Sequence, residues 1–190
     1  MGFLDAILGR RAPRPNRLDD LFHLPNAAVT LQTAAGLEPT GVGAVCYRGA
    51  AGAAFSQTQD EIVQLLDADP NAPKVEKSVD SFGFTWLVVR RDPSDTSGLA
   101  TDLHAVNTIL GDQGFADGLL CSHLGFSDAS GRRLAVVYLY KQGTFYPFAP
   151  TGPQSRDNLL ELSVRDHLTG ELPMEKDTSR WLAIWGAPGI

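Results

Sequence analysis

Cysteine is scarce in this chain: 190 residues hold two, Cys46 and Cys121, each inside an apolar strand-like run. A secreted disulfide scaffold would use more, so both are expected to be reduced and buried in a cytoplasmic protein. Long apolar runs are missing too, and none approaches the about 18 residues of a transmembrane helix. The apolar start, residues 3–8, is too short for a signal peptide, and its arginines follow it rather than precede it. Ala6 stands where a myristoylation signal needs Ser or Thr. Basic residues are outnumbered, 16 Lys and Arg against 22 Asp and Glu. The resulting net charge of −6 argues against a nucleic-acid binder, which concentrates Lys and Arg.

Signatures of chemistry are absent as well. The small-residue loop GAAGAA (49–54) matches neither phosphate-binding glycine pattern, and a plain connector is expected. The four histidines, His23, His104, His123 and His167, fall in four separate elements, with no paired-His or C-x-x-C spacing for zinc. No G-x-S-x-G elbow occurs, and DAD at 67–69 lacks the spacing of a calcium loop. Neither a metal nor a cofactor is therefore expected. Cys121 and His123, two apart on a strand, share a face and are a candidate nucleophile and base, set against a core cysteine beside a partly exposed histidine.

What is present suits an α+β core: 43% hydrophobic and 20% charged residues are near globular averages. In residues 3–8, FLDAIL, helical spacing brings together Phe3, Leu4, Ile7 and Leu8. RRAPRPNR follows, where Pro13 and Pro15 favour an extended linker. Residues 1–16 thus read as an amphipathic, basic arm. Phe3, Leu4, Ile7, Leu8, Arg10 and Arg11 are its candidate contacts to a partner, a membrane surface or its own domain. Residues 1–17 carry +3, leaving −9 (−6 minus +3) on residues 18–190.

From 17 to 190 the pattern predicts one domain, with 17–95 and 96–190 as candidate similar halves. A helix is expected over 17–24, ending before Pro25, and a strand over 27–33, where Val29 and Leu31 alternate with Thr30 and Gln32. Another strand covers 42–48, and Ser56 with Gln59 reads as a capping box opening a helix to about Asp67. Residues 74–79 read as a charged edge strand and 82–90 as a covered one. Leu99, Leu103, Val106 and Leu110 give the cleanest helix, stopped by Gly114. Strands follow at 119–126 and 134–140. The second is apolar on both faces and is the expected centre of the sheet.

Gln142-Gly143 then turns the chain into residues 144–148, where Pro147 implies an edge. A helix at 155–168 and a tail with Trp181 and Trp185 as a packing lid complete the chain. The order is roughly α-ββ-α-ββ-α-βββ-α, with antiparallel strands between helices, and it resembles that of secretion chaperones. Two readings stand for the aromatic hairpin at 133–150. Its rings pack the core, or Lys141, Gln142, Phe145, Tyr146 and Phe148 form a partner-binding edge.

The blocks GFLDAILGR, TAAGLEPTGVGAVCYR, DSFGFTWLVVRR, TDLHAVNTILGDQGF, VVYLYKQGTFYPFAP, RDNLLEL and WGAPG run from residue 2 to 189. In these blocks the chain resembles the actinobacterial PspA-associated protein family of the PspAB type. The resemblance implies a link to phage-shock-protein A, a coiled-coil membrane-maintenance protein, and to a membrane zinc protease of the HtpX kind. It carries no catalytic residues. The expectation is a non-enzymatic accessory protein of an envelope-stress response, binding a protein partner at the cytoplasmic face of the inner membrane. The alternatives are a peptide-holding, secretion-chaperone-like module and an enzyme using Cys121 and His123.

Overall fold

Six antiparallel strands form the frame on which everything else is hung. The computed structural model describes residues 17–68, 70 and 74–190. In chain order the elements are α1 (Leu24–Ala35), β1 (Glu38–Tyr47), α2 (Ala53–Leu66), β2 (Glu76–Val79), β3 (Thr85–Arg90), α3 (Thr96–Leu110), β4 (Leu119–Ser127), β5 (Arg133–Leu139), β6 (Thr144–Phe148), β7 (Pro150–Gly152), β8 (Ser155–Arg156) and α4 (Asn158–Leu168). The sheet order is β2-β3-β1-β4-β5-β6, and β7-β8 is a small separate ribbon. The α+β class with helices interspersed along an antiparallel sheet is as expected. The middle pair, β1 and β4, takes one strand from each of the two halves of the sequence, so one sheet joins both parts of the chain.

The first strand of the expected order is a helix. Residues 27–33 lie within α1, which a 3-10 turn (Leu18–His23) enters without a break. Pro25 does not end that turn; it occupies the first turn of α1, where its missing N–H would have lacked a partner anyway. Alanines favour the helix, and Leu24, Ala27, Ala28 and Leu31, spaced i, i+3, i+4 and i+7, are its buried face. Val29, one end of the apparent alternation, is 60% exposed. Gly36 closes the helix at φ 64°, the left-handed position that glycine fills without strain.

The capping box is likewise replaced. Helix α2 starts at Ala53, so the Ser56 amide already donates to the Gly52 carbonyl within the first turn. Gln59 is buried and donates to the Tyr47 hydroxyl. Helix α3 runs as its spacing predicts, capped by the Asp95 carboxylate, which accepts from the Gly98 amide at 2.9 Å. Past its end, Gly114 turns the chain at φ 86°.

All four helices cover one face of the sheet. Leu103, Val106, Phe55, Leu24 and Val164 meet Val45, Leu87, Leu124, Phe126 and Val136 there in one continuous core. Each such side chain contributes about 1.5–3 kcal/mol by leaving water. Strand β5 is not the centre of the sheet; it lies one strand from the edge. Its two apolar faces need cover on both sides, not a central place: helices cover one and the C-terminal tail the other. Among the described residues no helix is long and apolar enough to cross a membrane.

Candidate functional site

The sheet face turned away from the helices is where the fold leaves a cleft. Alternation along the strands brings Ala44 and Cys46 (β1), Trp86 and Val88 (β3), Cys121 and His123 (β4), Val137 and Leu139 (β5), and Tyr146 and Phe148 (β6) to this side. Residues 176–190 cross it as a strap. Trp181 stacks on Tyr146 at 6.3 Å, and Trp185 meets Phe148 edge-on at 5.0 Å. The Tyr146 hydroxyl donates to the Leu182 carbonyl at 2.9 Å, and Arg156 donates to the Trp181 carbonyl at 2.8 Å. The expected tryptophan lid is this strap.

The strap leaves the β2–β3 end of the face open. There a cleft of about 490 Å³ lies between the strap and the turn that enters β3. Cys46, Cys121, Leu139 and Tyr146 are its floor; Phe82, Phe84 and Trp86 are one wall; Leu182, Ile184 and Trp185 are the other. At its mouth stand Asp80, Lys141, Gln142 and Arg180. Two large apolar side chains of its lining stand in water, Phe82 at 71% and Leu182 at 62% exposure. A larger hollow of about 600 Å³ lies beyond Trp185, but turn backbone, Arg132, Arg133 and Asp157 make up much of its lining. The smaller cleft has the predominantly apolar walls that recognition sites use.

Asp80 holds the aromatic wall in shape. Its carboxylate accepts from the Phe82 amide (2.9 Å), the Phe84 amide (3.0 Å) and Trp86 Nε1 (2.9 Å). Desolvation works to raise its pKa, but these hydrogen bonds outweigh it and hold the carboxyl below its usual range. On the floor, Cys46 and Cys121 are direct cross-strand neighbours and both are free thiols. Hydrogen bonding to Cys121, together with burial, pushes the Cys46 pKa far up, so it remains a neutral thiol.

Cys121 and His123 share a face as the spacing predicts, but neither ring nitrogen of His123 has a hydrogen-bond partner. The ring is 1% exposed and packs edge-on against Trp86 at 5.7 Å. Desolvation lowers its pKa to about 4. A nucleophile–base pair needs a hydrogen bond between its members, and this arrangement has none. The imidazole is a buried neutral group instead of the partly exposed one expected. Among the described residues no group of three or more His, Cys, Asp or Glu side chains could hold a metal ion.

The expected partner-binding edge divides in two. Lys141 is exposed and Gln142 half-buried, both at the cleft mouth. Phe145, Tyr146 and Phe148 are buried to within 1%, so their rings are core. Strand β6 is the last in the sheet, as Pro147 implies, yet its edge is occupied. The Phe145 amide donates to the Pro173 carbonyl (2.9 Å) and the Glu175 amide to the Phe145 carbonyl (2.7 Å). Phe3, Leu4, Ile7, Leu8, Arg10 and Arg11 lie outside the described residues. What sequence reasoning missed is the convergence of Phe82, Phe84 and Trp86 with Leu182 and Ile184. The only local signal was the period-two spacing of the three rings and the apolar tail.

Comparison with curated proteins gives no match, and comparison with solved structures gives none. A family model does match, that of PspA associated protein B, over residues 1–189. Nearly the whole chain is covered, strap and cleft included, and the family description ties it to a PspA system in an accessory role. The chain belongs to the PspA associated protein B family.

Proposed function

We propose that this protein is a non-enzymatic accessory component of an envelope-stress system built on a PspA-like coiled-coil protein, acting by protein–protein binding at the cytoplasmic face of the membrane. Its cleft receives the apolar stripe of an amphipathic helix from that partner. The observation that carries this reading is the open pair Phe82 and Leu182 above an apolar floor. An exposed apolar patch rimmed by polar groups is the form that helix-in-groove recognition takes, and a coiled-coil partner supplies helices with such stripes. Family membership supports the choice of partner. A membrane protease of the HtpX kind is a second candidate occupant, resting on resemblance alone.

The test is co-purification from native cells of the wild-type chain and of Leu182→Glu. Residue 182 is exposed, so the substitution should leave the fold intact to within about 0.5 kcal/mol. Recovery of the PspA-like protein with wild type, and its loss with Leu182→Glu, is the expected result. Equal recovery with both, or with neither, contradicts the proposal.

A further inference from the structure

The described chain begins beside the turn that joins β5 to β6. Arg17 packs over Gly143, where an added methyl group would stand 3.5 Å from the Arg17 Cβ. Gly143 follows Lys141 and Gln142, the two residues at the cleft mouth. Whatever precedes Arg17 therefore starts next to the turn whose Lys141 and Gln142 stand at the mouth of the apolar cleft. Sixteen residues precede it, and they have a composition suited to that place. Residues 3–8 carry Phe3, Leu4, Ile7 and Leu8 at the spacing of one helical stripe, and residues 9–16 contain Arg10, Arg11 and Arg14.

Resting on the reading of the cleft as a receptor for an amphipathic segment, we propose that it is also regulated from within. The chain's own residues 3–8 occupy the cleft as a competitive pseudo-ligand, and the partner must displace them. Three arguments favour this occupant. The first is reach. Eight residues separate Leu8 from Arg17, and at about 3.1–3.6 Å per residue they span up to about 25–29 Å, which is ample for a cleft whose mouth adjoins the exit point.

The second argument is charge. Residues 1–17 carry +3 against −9 on the rest of the chain. At the mouth Asp80 stands with Lys141 and Arg180, and Arg180 already faces Glu175 (3.8 Å) and Asp177 (3.5 Å), so the attraction is that of the acidic domain as a whole and not of the mouth alone. The third is length. About one and a half turns of helix bury too little surface to bind tightly as a free peptide. A short tether supplies an effective concentration of about 1 mM, enough to fill a site of about 0.1 mM affinity roughly tenfold over the open state. A weak tethered ligand of this kind yields to a stronger one in trans, as an autoinhibitory segment must.

The test uses the full-length chain throughout. The first readout is binding of an anilinonaphthalene-sulfonate dye, which reports open apolar clefts. The variant Ile7→Glu/Leu8→Glu should bind the dye about tenfold more tightly than wild type, and adding Leu182→Glu should abolish the gain. The second readout is positional: a photoreactive benzophenone amino acid is placed at position 7 and the adduct mapped by mass spectrometry. The expected adduct is intramolecular, on residues 82–86 or 182–185.

Unchanged dye affinity in Ile7→Glu/Leu8→Glu overturns the proposal. So does an adduct elsewhere on the chain, no adduct at all, or an adduct between two chains, which would make a second copy the occupant. Failure here leaves the partner reading standing if the PspA-like protein still co-purifies in a Leu182-dependent way. Loss of co-purification with an intact intramolecular adduct would sink the partner reading alone.

Discussion

Replacing His123 with leucine should flatten the protein's acid sensitivity, by an amount the structure sets. The native imidazole titrates at about 4, against an ordinary value of 6.5, because burial disfavours its charged form. Below pH 6.5 the unfolded chain takes up a proton that the native ring refuses until about pH 4. Stability is therefore fully present above 6.5 and declines as pH falls through the window, by up to about 1.4 kcal/mol per pH unit. The loss is about 2 kcal/mol at pH 5 and about 3 kcal/mol below pH 4. His123→Leu removes this term. Near pH 7.5 the change should stay within about 1 kcal/mol. Losing two unpartnered buried nitrogens stabilises, while losing the ring contact with Trp86 costs about as much. Urea titrations at pH 7.5, 6 and 5, followed by tryptophan fluorescence, measure the difference directly. Parallel stability–pH curves for wild type and variant would refute the assignment of His123 as a buried neutral group.

Further outcomes follow from the site's supports. Asp80→Ala leaves the Trp86 indole N–H and two amides without their acceptor; it should cost about 1–3 kcal/mol and red-shift tryptophan emission as the aromatic wall loosens. Arg156→Ala strips the partner from Glu161, which is 1% exposed and 2.8 Å from the guanidinium. A loss of about 3–5 kcal/mol is expected in chemical denaturation, with easier proteolysis of the strap, since Arg156 also holds the Trp181 carbonyl. Gly41→Ala puts a methyl group 2.3 Å from the Arg91 carbonyl at a residue with φ +75°. It should lower the denaturation midpoint well beyond the few tenths of a kcal/mol of an ordinary surface change.

Where a single element carried its own evidence, the sequence could be read. The i, i+4, i+7, i+11 leucines and valine of α3, and the two-sided apolar run of β5, fold as their periods predict. Residues 27–33 misled because alanine is neutral to both periods. Two residues of apparent alternation outweighed the helix-forming composition and the proline that opens the helix. The place of β5 in the sheet was not legible, since two-sided burial reports cover and not centrality. That cover comes from a tail nearly 50 residues further on. The cleft was out of reach for the same reason. Its two walls are residues 82–86 and 182–185, and only the tertiary fold brings segments so far apart to one mouth. The fully buried rings of Phe145, Tyr146 and Phe148 show the limit from the other side: an aromatic run alone does not tell a surface from a core.

The central claim is that the cleft between Phe82 and Leu182 is the recognition surface. The measurement that meets it most directly is isothermal titration of the purified chain with its PspA-like partner, for wild type and for Leu182→Glu at matched thermal stability. Saturable binding by wild type, weakened at least about tenfold by the single exposed substitution, is the predicted result. Equal affinity for the two proteins would contradict it.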